Sequence, residues 1–119
     1  MTIFLVEDDK DNAAVFEYAL KMEGFVVDVY NDPYMALSSF KPEIHHVAVI
    51  DYSMPGMTGT QLLDKIKKQS IDLKAIILTG YQGAEIPANK DLKVITKPVM
   101  PSRLGKIVKE FLNECFCEQ

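Results

Sequence analysis

Residues 47–59 read Val47-Ala48-Val49-Ile50-Asp51-Tyr52-Ser53-Met54-Pro55-Gly56-Met57-Thr58-Gly59. An unbroken apolar run of this length predicts a strand covered on both faces. It stops on a carboxylate that is followed by a Pro-Gly turn. Folding alone gives no reason to put a charge at the tip of a buried strand. In open α/β sheets, ligands bind beyond the carboxyl ends of the parallel strands, so Asp51 stands at a functional edge. A second apolar run, Ile3-Phe4-Leu5-Val6, also ends on acids, Glu7-Asp8-Asp9. Two such ends side by side crowd like charges together, and that crowding calls for a cation.

Outward from this stretch, apolar runs and helical periodicity alternate along the chain. Strands are predicted at about residues 2–7, 25–30, 47–50, 75–78 and 92–96. The first helix, about 11–23, carries Val15, Phe16, Ala19 and Leu20 as its inward stripe, and Gly24 is placed to end it in a left-handed cap. Asp32-Pro33 predicts an N-cap with proline at the first helical position, opening a short helix with Ala36, Leu37 and Phe40 inward. A helix at about 59–68 buries Leu62, Leu63 and Ile66, and a final helix from Pro101 buries Leu104, Ile107, Val108, Phe111 and Leu112. Segment 81–91, with Gly83 and Pro87, leaves room only for a short or irregular helix. Strictly alternating strands and helices predict a parallel sheet with right-handed crossovers. The expected fold is α/β, a flavodoxin-like doubly wound five-stranded sheet of order 2-1-3-4-5 with about five helices, the fourth short or irregular.

At 119 residues, 1–119 is expected to form one domain. A net charge of −4 argues against nucleic acid as a direct partner of this chain. No membrane span or signal peptide is legible at the N-terminus, and Cys115 and Cys117, spaced C-x-C, read as reduced thiols, so a cytoplasmic location is expected. His45-His46 is not read as a metal pair, because adjacent strand residues point to opposite sides.

Parallel stacking brings the ends of four strands to one edge, with Glu7-Asp8, Asp51, Thr79 and Lys97 around one crevice. Oxygen donors without histidine or thiol suit Mg2+. An aspartate can act as a covalent nucleophile, and a metal-compensated carboxylate facing a lysine and a threonine is equipped to accept a phosphoryl group.

This set resembles the receiver domain of the two-component response-regulator family. The matching residues are Glu7-Asp8, Asp51 with Met54-Pro55-Gly56-x-x-Gly59, Thr79-Gly80 and Lys97-Pro98, in the family's order and over residues 1 to about 114. The resemblance implies that Asp51 is the phosphoacceptor, charged by a phosphohistidine on a sensor histidine kinase or a histidine phosphotransfer protein. It implies that Asp8, Asp51 and the backbone carbonyl of Ser53 ligate Mg2+, with Glu7 acting through a water. Thr79 and Lys97 would contact phosphoryl oxygens, Lys97–Pro98 would be cis, and Gly80 supplies a small residue. The outcome would be a change in interaction with a downstream protein target, in a regulatory domain rather than an enzyme that turns over an external substrate. Both a stand-alone receiver and a piece of a longer regulator or hybrid kinase fit.

Alternatives are an aspartyl phosphatase, which would want a second acid where Ser53 stands, and a flavin protein, whose phosphate Glu7-Asp8-Asp9 would repel. A further alternative is a receiver that acts only as a phosphorylation-independent interaction module. Smaller readings assign Asp9 and Thr58 to helix caps, and Met54 and Met57 either to loop packing or to a partner. Tyr81 is read as a shield over the acyl phosphate. Three departures from the family pattern stand out. Val94 occupies a position where many receivers carry a switching aromatic, and it is read as core. The interval from Thr79 to Lys97 is short, which points to signalling through another face or as a monomer. Met100 stands where a capping residue is expected before Pro101.

Overall fold

The apolar runs form a five-stranded parallel sheet in the order β2-β1-β3-β4-β5. The computed structural model describes residues 1–80, 86 and 88–116, the side chains of 115 and 116 excepted. Its strands are β1 (Thr2–Val6), β2 (Val26–Tyr30), β3 (His45–Asp51), β4 (Lys74–Thr79) and β5 (Leu92–Thr96). They alternate with helices α1 (Lys10–Met22), α2 (Pro33–Ser39), α3 (Gly59–Lys67) and α4 (Pro101–Phe116). The doubly wound architecture and strand order are those the sequence predicts. Four helices are present among the described residues. The short or irregular helix expected between β4 and β5 falls largely on residues 81–85 and 87, which lie outside the described residues, as do the readings of Tyr81, Gly83, Pro87 and Cys117.

The period-2 geometry of the strands sends alternate side chains to opposite faces. Ile3, Leu5, Val47, Val49, Ile76 and Leu78 pack with Phe16 and Leu20 of α1 and with Leu104 and Val108 of α4. Phe4, Val6, Ala48, Ile50 and Ile77 pack with Ala36 of α2 and with Leu62, Leu63 and Ile66 of α3. Both faces are therefore covered, which is why the central strands contain so little polar residue.

Local signals set the element ends. Asp9 caps α1, its Oδ1 accepting from the backbone N–H groups of Asp11 and Asn12 at 2.9 and 3.1 Å. At the other end, Gly24 has φ +94°. Its N–H bonds the Lys21 carbonyl at 3.0 Å and that of Phe25 bonds the Leu20 carbonyl at 3.2 Å, a Schellman closure. Thr58 and Gln61 form a capping box on α3. Met100, which precedes α4, carries no side-chain oxygen to cap it and is exposed.

Two details differ from the sequence reading, and a third has no counterpart in it. Val15 is 47% exposed, so the inner face of α1 is Ala13, Phe16, Ala19 and Leu20. Val94, on the edge strand β5, is half-buried rather than core, although Leu92 and Ile95 of the same strand are buried. His45 is buried although polar, and both ring nitrogens are engaged. Nδ1 accepts the Lys41 N–H at 2.9 Å, and Nε2 meets the Asp28 carboxylate at 2.7 Å. No helix among the described residues is long and apolar enough to cross a membrane.

Candidate functional site

The ladder between β1 and β3 runs to Val6 beside Ile50, so the residues that follow, Glu7 and Asp51, leave the sheet side by side. β3 and β4 pair to Asp51 beside Leu78, and β4 and β5 pair to Thr79 beside Thr96. The backbone N–H of Lys97 bonds the Thr79 carbonyl at 2.7 Å, carrying the ladder one step beyond β5. Sheet register therefore places Glu7-Asp8, Asp51, Thr79 and Lys97 on one edge. The Lys97–Pro98 bond is cis.

Side-chain geometry makes this edge a site. Glu7, Asp8 and Asp51 each offer a carboxylate oxygen, and these oxygens lie within 4.8 Å of one another. Lys97 reaches into the group, its Nζ 2.6 Å from Asp51 Oδ1 and 3.2 Å from Glu7 Oε1. Asp51 is 4% exposed and Glu7 1%. Thr79 is buried at the same edge, and Ser53 is exposed just beyond Asp51. Gly80 lies open, the nearest atom to an added Cβ being the Lys97 Cβ at 3.9 Å.

Burial pushes the Asp51 carboxyl above the usual aspartate range; Lys97 pulls it back and Asp8 pushes it further. Burial also raises Glu7, aided by the charge of Asp51 and opposed by Lys97. Desolvation works against the charge of Lys97, but its bonds and charge interactions with Asp51 and Glu7 outweigh it, and its pKa rises. One lysine thus leaves the acidic cluster under-compensated. All-oxygen donors, two of them buried and held against their preference for water, fit a hard divalent cation such as Mg2+.

A stability effect follows. A carboxyl whose pKa rises on folding supports the fold below its unfolded value and loses that support as pH climbs through the folded value. Ionised Asp51 is therefore a liability in the cation-free protein at neutral pH. Asp51→Asn should unfold several degrees higher than wild type at pH 7 in chelator-treated buffer. The gain should fade on acidification and be gone below about pH 4, where both forms are neutral. Thermal unfolding across pH measures it; a lower midpoint for Asp51→Asn at pH 7 would mean that the Lys97 pair outweighs burial.

The β3–α3 loop is closed by its own residues. The Gly59 N–H bonds the Tyr52 carbonyl at 2.7 Å, and Met54 and Met57 are buried beneath the loop, which settles their role as packing. Two residues absent from the sequence reading also touch the site's backbone. Asn31 Nδ2 donates to the Glu7 carbonyl at 2.9 Å, and the Tyr34 hydroxyl donates to the Gly56 carbonyl at 2.8 Å. Both contacts join residues more than twenty positions apart. The only sequence signal nearby is the Asp32-Pro33 helix start between them.

Comparison with known proteins places the fold in a family. Residues 3–109 match the family described as response regulator receiver domain. An uncharacterised 14.6 kDa protein of Leptolyngbya boryana is 32% identical over 119 residues, covering 93% of this chain and 89% of that protein. The transcriptional regulatory protein TctD of Salmonella typhimurium is 34% identical over 80 residues, which cover 67% of this chain and 36% of the regulator. A CheY-like receiver domain from Methanospirillum hungatei superposes with a TM-score of 0.82 at 30% identity, over 99% of this chain and 98% of the other. With the family's pattern matched over residues 3–109, most of this chain, the chain belongs to the response regulator receiver domains.

Proposed function

We propose that this chain accepts a phosphoryl group from a phosphohistidine onto Asp51 and thereby changes its interactions with a downstream protein. One observation carries the reading: a buried carboxylate at the tip of β3 with a lysine ammonium 2.6 Å from one oxygen and two further carboxylates beside it. The donor would be a sensor histidine kinase or a histidine phosphotransfer protein, met in the cytoplasm.

Asp8 and Asp51, with the backbone carbonyl of Ser53, are the residues to hold Mg2+, and Glu7 stands behind them. Bound Mg2+ supplies positive charge that offsets the carboxylates and the phosphoryl oxygens. An oxygen of Asp51 attacks phosphorus while the bond from phosphorus to the donor nitrogen breaks, and the imidazole leaves with the electron pair. Lys97 is already hydrogen-bonded to Asp51, so it need shift only from carboxylate to phosphoryl oxygen. The Thr79 hydroxyl, at the same sheet edge, donates to another of these oxygens. Water then attacks the phosphorus, the bond from phosphorus to the Asp51 oxygen breaks and inorganic phosphate leaves, so Asp51 returns to the carboxylate and the domain resets itself.

The test is incubation of the full chain with acetyl phosphate and Mg2+, followed by intact-mass measurement. One added phosphoryl group is expected, lost on brief treatment with hydroxylamine as an acyl phosphate should be. A chain that stays unmodified with acetyl phosphate and with a phosphorylated histidine kinase would overturn the proposal.

A further inference from the structure

Lys97 joins the two acidic loops at their side chains, 3.2 Å from Glu7 Oε1 and 2.6 Å from Asp51 Oδ1, which leaves the course of the loop backbones to other contacts. The β1–β3 ladder ends at Val6 and Ile50, and beyond it the side chains of Glu7, Asp8 and Asp51 repel one another. Yet one short segment touches both loops. Asn31, just after β2, donates its side-chain amide to the Glu7 carbonyl at 2.9 Å. Tyr34, in the first turn of α2, donates its hydroxyl to the Gly56 carbonyl at 2.8 Å. Each bond goes to a backbone carbonyl, so it fixes the course of a loop rather than the rotamer of a side chain.

The segment between these two donors is stiff. Asp32 caps α2, its Oδ1 accepting from the Tyr34 N–H at 2.9 Å, and Pro33 occupies the first helical turn with its φ locked by the ring. On the β1 side, the Glu7 N–H also bonds the Tyr30 carbonyl at 3.0 Å, so the strand end and Asn31 grip Glu7 from both backbone groups. On the β3 side, the Tyr34 ring lies so close to the turn that a Cβ at Gly56 would meet two of its atoms at 3.0 Å. Gly56 itself has φ +84°, a turn shape that other residues strain to adopt.

We propose that Asn31-Asp32-Pro33-Tyr34 is a strut that sets the spacing between the Glu7-Asp8 loop and the Asp51–Gly56 loop, making Asn31 and Tyr34 positioning residues for divalent-cation binding. This rests on the reading of Glu7, Asp8 and Asp51 as the cation site. Neither residue touches the cation; each acts through a carbonyl in a loop that carries ligands. Because the strut is one rigid piece, releasing either end frees the loops from each other.

Isothermal titration of Mg2+ into the full chain tests this, with wild type, Asn31→Ala, Tyr34→Phe and the double variant. Thermal unfolding without Mg2+ runs alongside. Tyr34→Phe removes the hydroxyl and keeps the ring, so it isolates the hydrogen bond. Each single change is expected to weaken Mg2+ about fivefold, the effect of one hydrogen bond near 1 kcal/mol. The double variant should lose clearly less than the product of the two losses, because the second release undoes a constraint already gone. Unchanged Mg2+ affinity with a lowered unfolding midpoint would reduce both contacts to ordinary stability and overturn the strut. Losses that multiply fully would overturn its action as a single piece. Wild type that binds no Mg2+ overturns the cation-site reading itself and the strut with it, an outcome distinct from the other two.

Discussion

Asp51→Ala is expected to carry no phosphate after incubation with acetyl phosphate and Mg2+ under conditions that modify wild type fully. The loss should be complete rather than partial, because Asp51 is the buried carboxylate that Lys97 addresses most closely, at 2.6 Å. Glu7 is the other buried acid, but its Oε2 accepts the Asp9 N–H at 3.3 Å and its Oε1 faces Lys97 at 3.2 Å. Its backbone is gripped by Tyr30 and Asn31, so its carboxylate is not free to advance on phosphorus. Lys97→Ala should behave differently: the nucleophile remains, and modification slows by about a hundredfold, the usual cost of removing one preorganised charge from a transition state. Intact mass and the rate of its change separate the two. Undiminished phosphate on Asp51→Ala would move the acceptor elsewhere and sink the assignment. A chain that binds partners equally well with and without Asp51 would instead favour the phosphorylation-independent module.

The sheet could be read in advance because its three central strands carry unbroken apolar runs, 3–6, 47–50 and 75–78, and its helices start and stop on residues with few other uses. Asp9, Gly24, Asp32-Pro33 and Thr58 are each explained by local hydrogen bonds or a backbone angle, and local chemistry is what a sequence displays. The acidic edge was legible for a related reason. Parallel strands end on one side, so residues that follow apolar runs must gather there, and Glu7, Asp8, Asp51 and Lys97 do. What could not be read depends on partners distant in the chain. Val15 fits an apolar stripe, yet the direction of the sheet leaves it outside. Val94 fits the apolar pattern of β5, yet it is half-buried while Leu92 and Ile95 of the same strand are buried. His45 gives no sign that Asp28 and the Lys41 N–H will satisfy it in the interior. Asn31 and Tyr34 are ordinary residues at a helix start, and only the fold brings them to Glu7 and Gly56.

Gly59→Ala is expected to be the most damaging single-methyl change near the site. A Cβ at Gly59 would lie 2.5 Å from the Asp51 carbonyl oxygen and 2.9 Å from the Tyr52 Cα, both backbone atoms with no rotamer to yield. The first residue of α3 cannot retreat easily, since its N–H is bonded to the Tyr52 carbonyl at 2.7 Å and the helix is anchored by Leu62, Leu63 and Ile66 in the core. Relief must come from moving α3 away from β3 or from twisting the residues after Asp51. Overpacking of this kind costs about 3 kcal/mol, enough to lower the unfolding midpoint by roughly 10 °C. Because the clash is with Asp51 itself, the folded fraction should also bind Mg2+ and take up phosphate poorly, beyond what lost stability explains. Gly80→Ala is the matched control: its Cβ would meet only the Lys97 Cβ, at an ordinary 3.9 Å, so its unfolding midpoint should stay close to wild type. Thermal unfolding of the two variants side by side decides the matter. Equal, small losses for both would show that the β3–α3 junction gives way more readily than its backbone contacts imply.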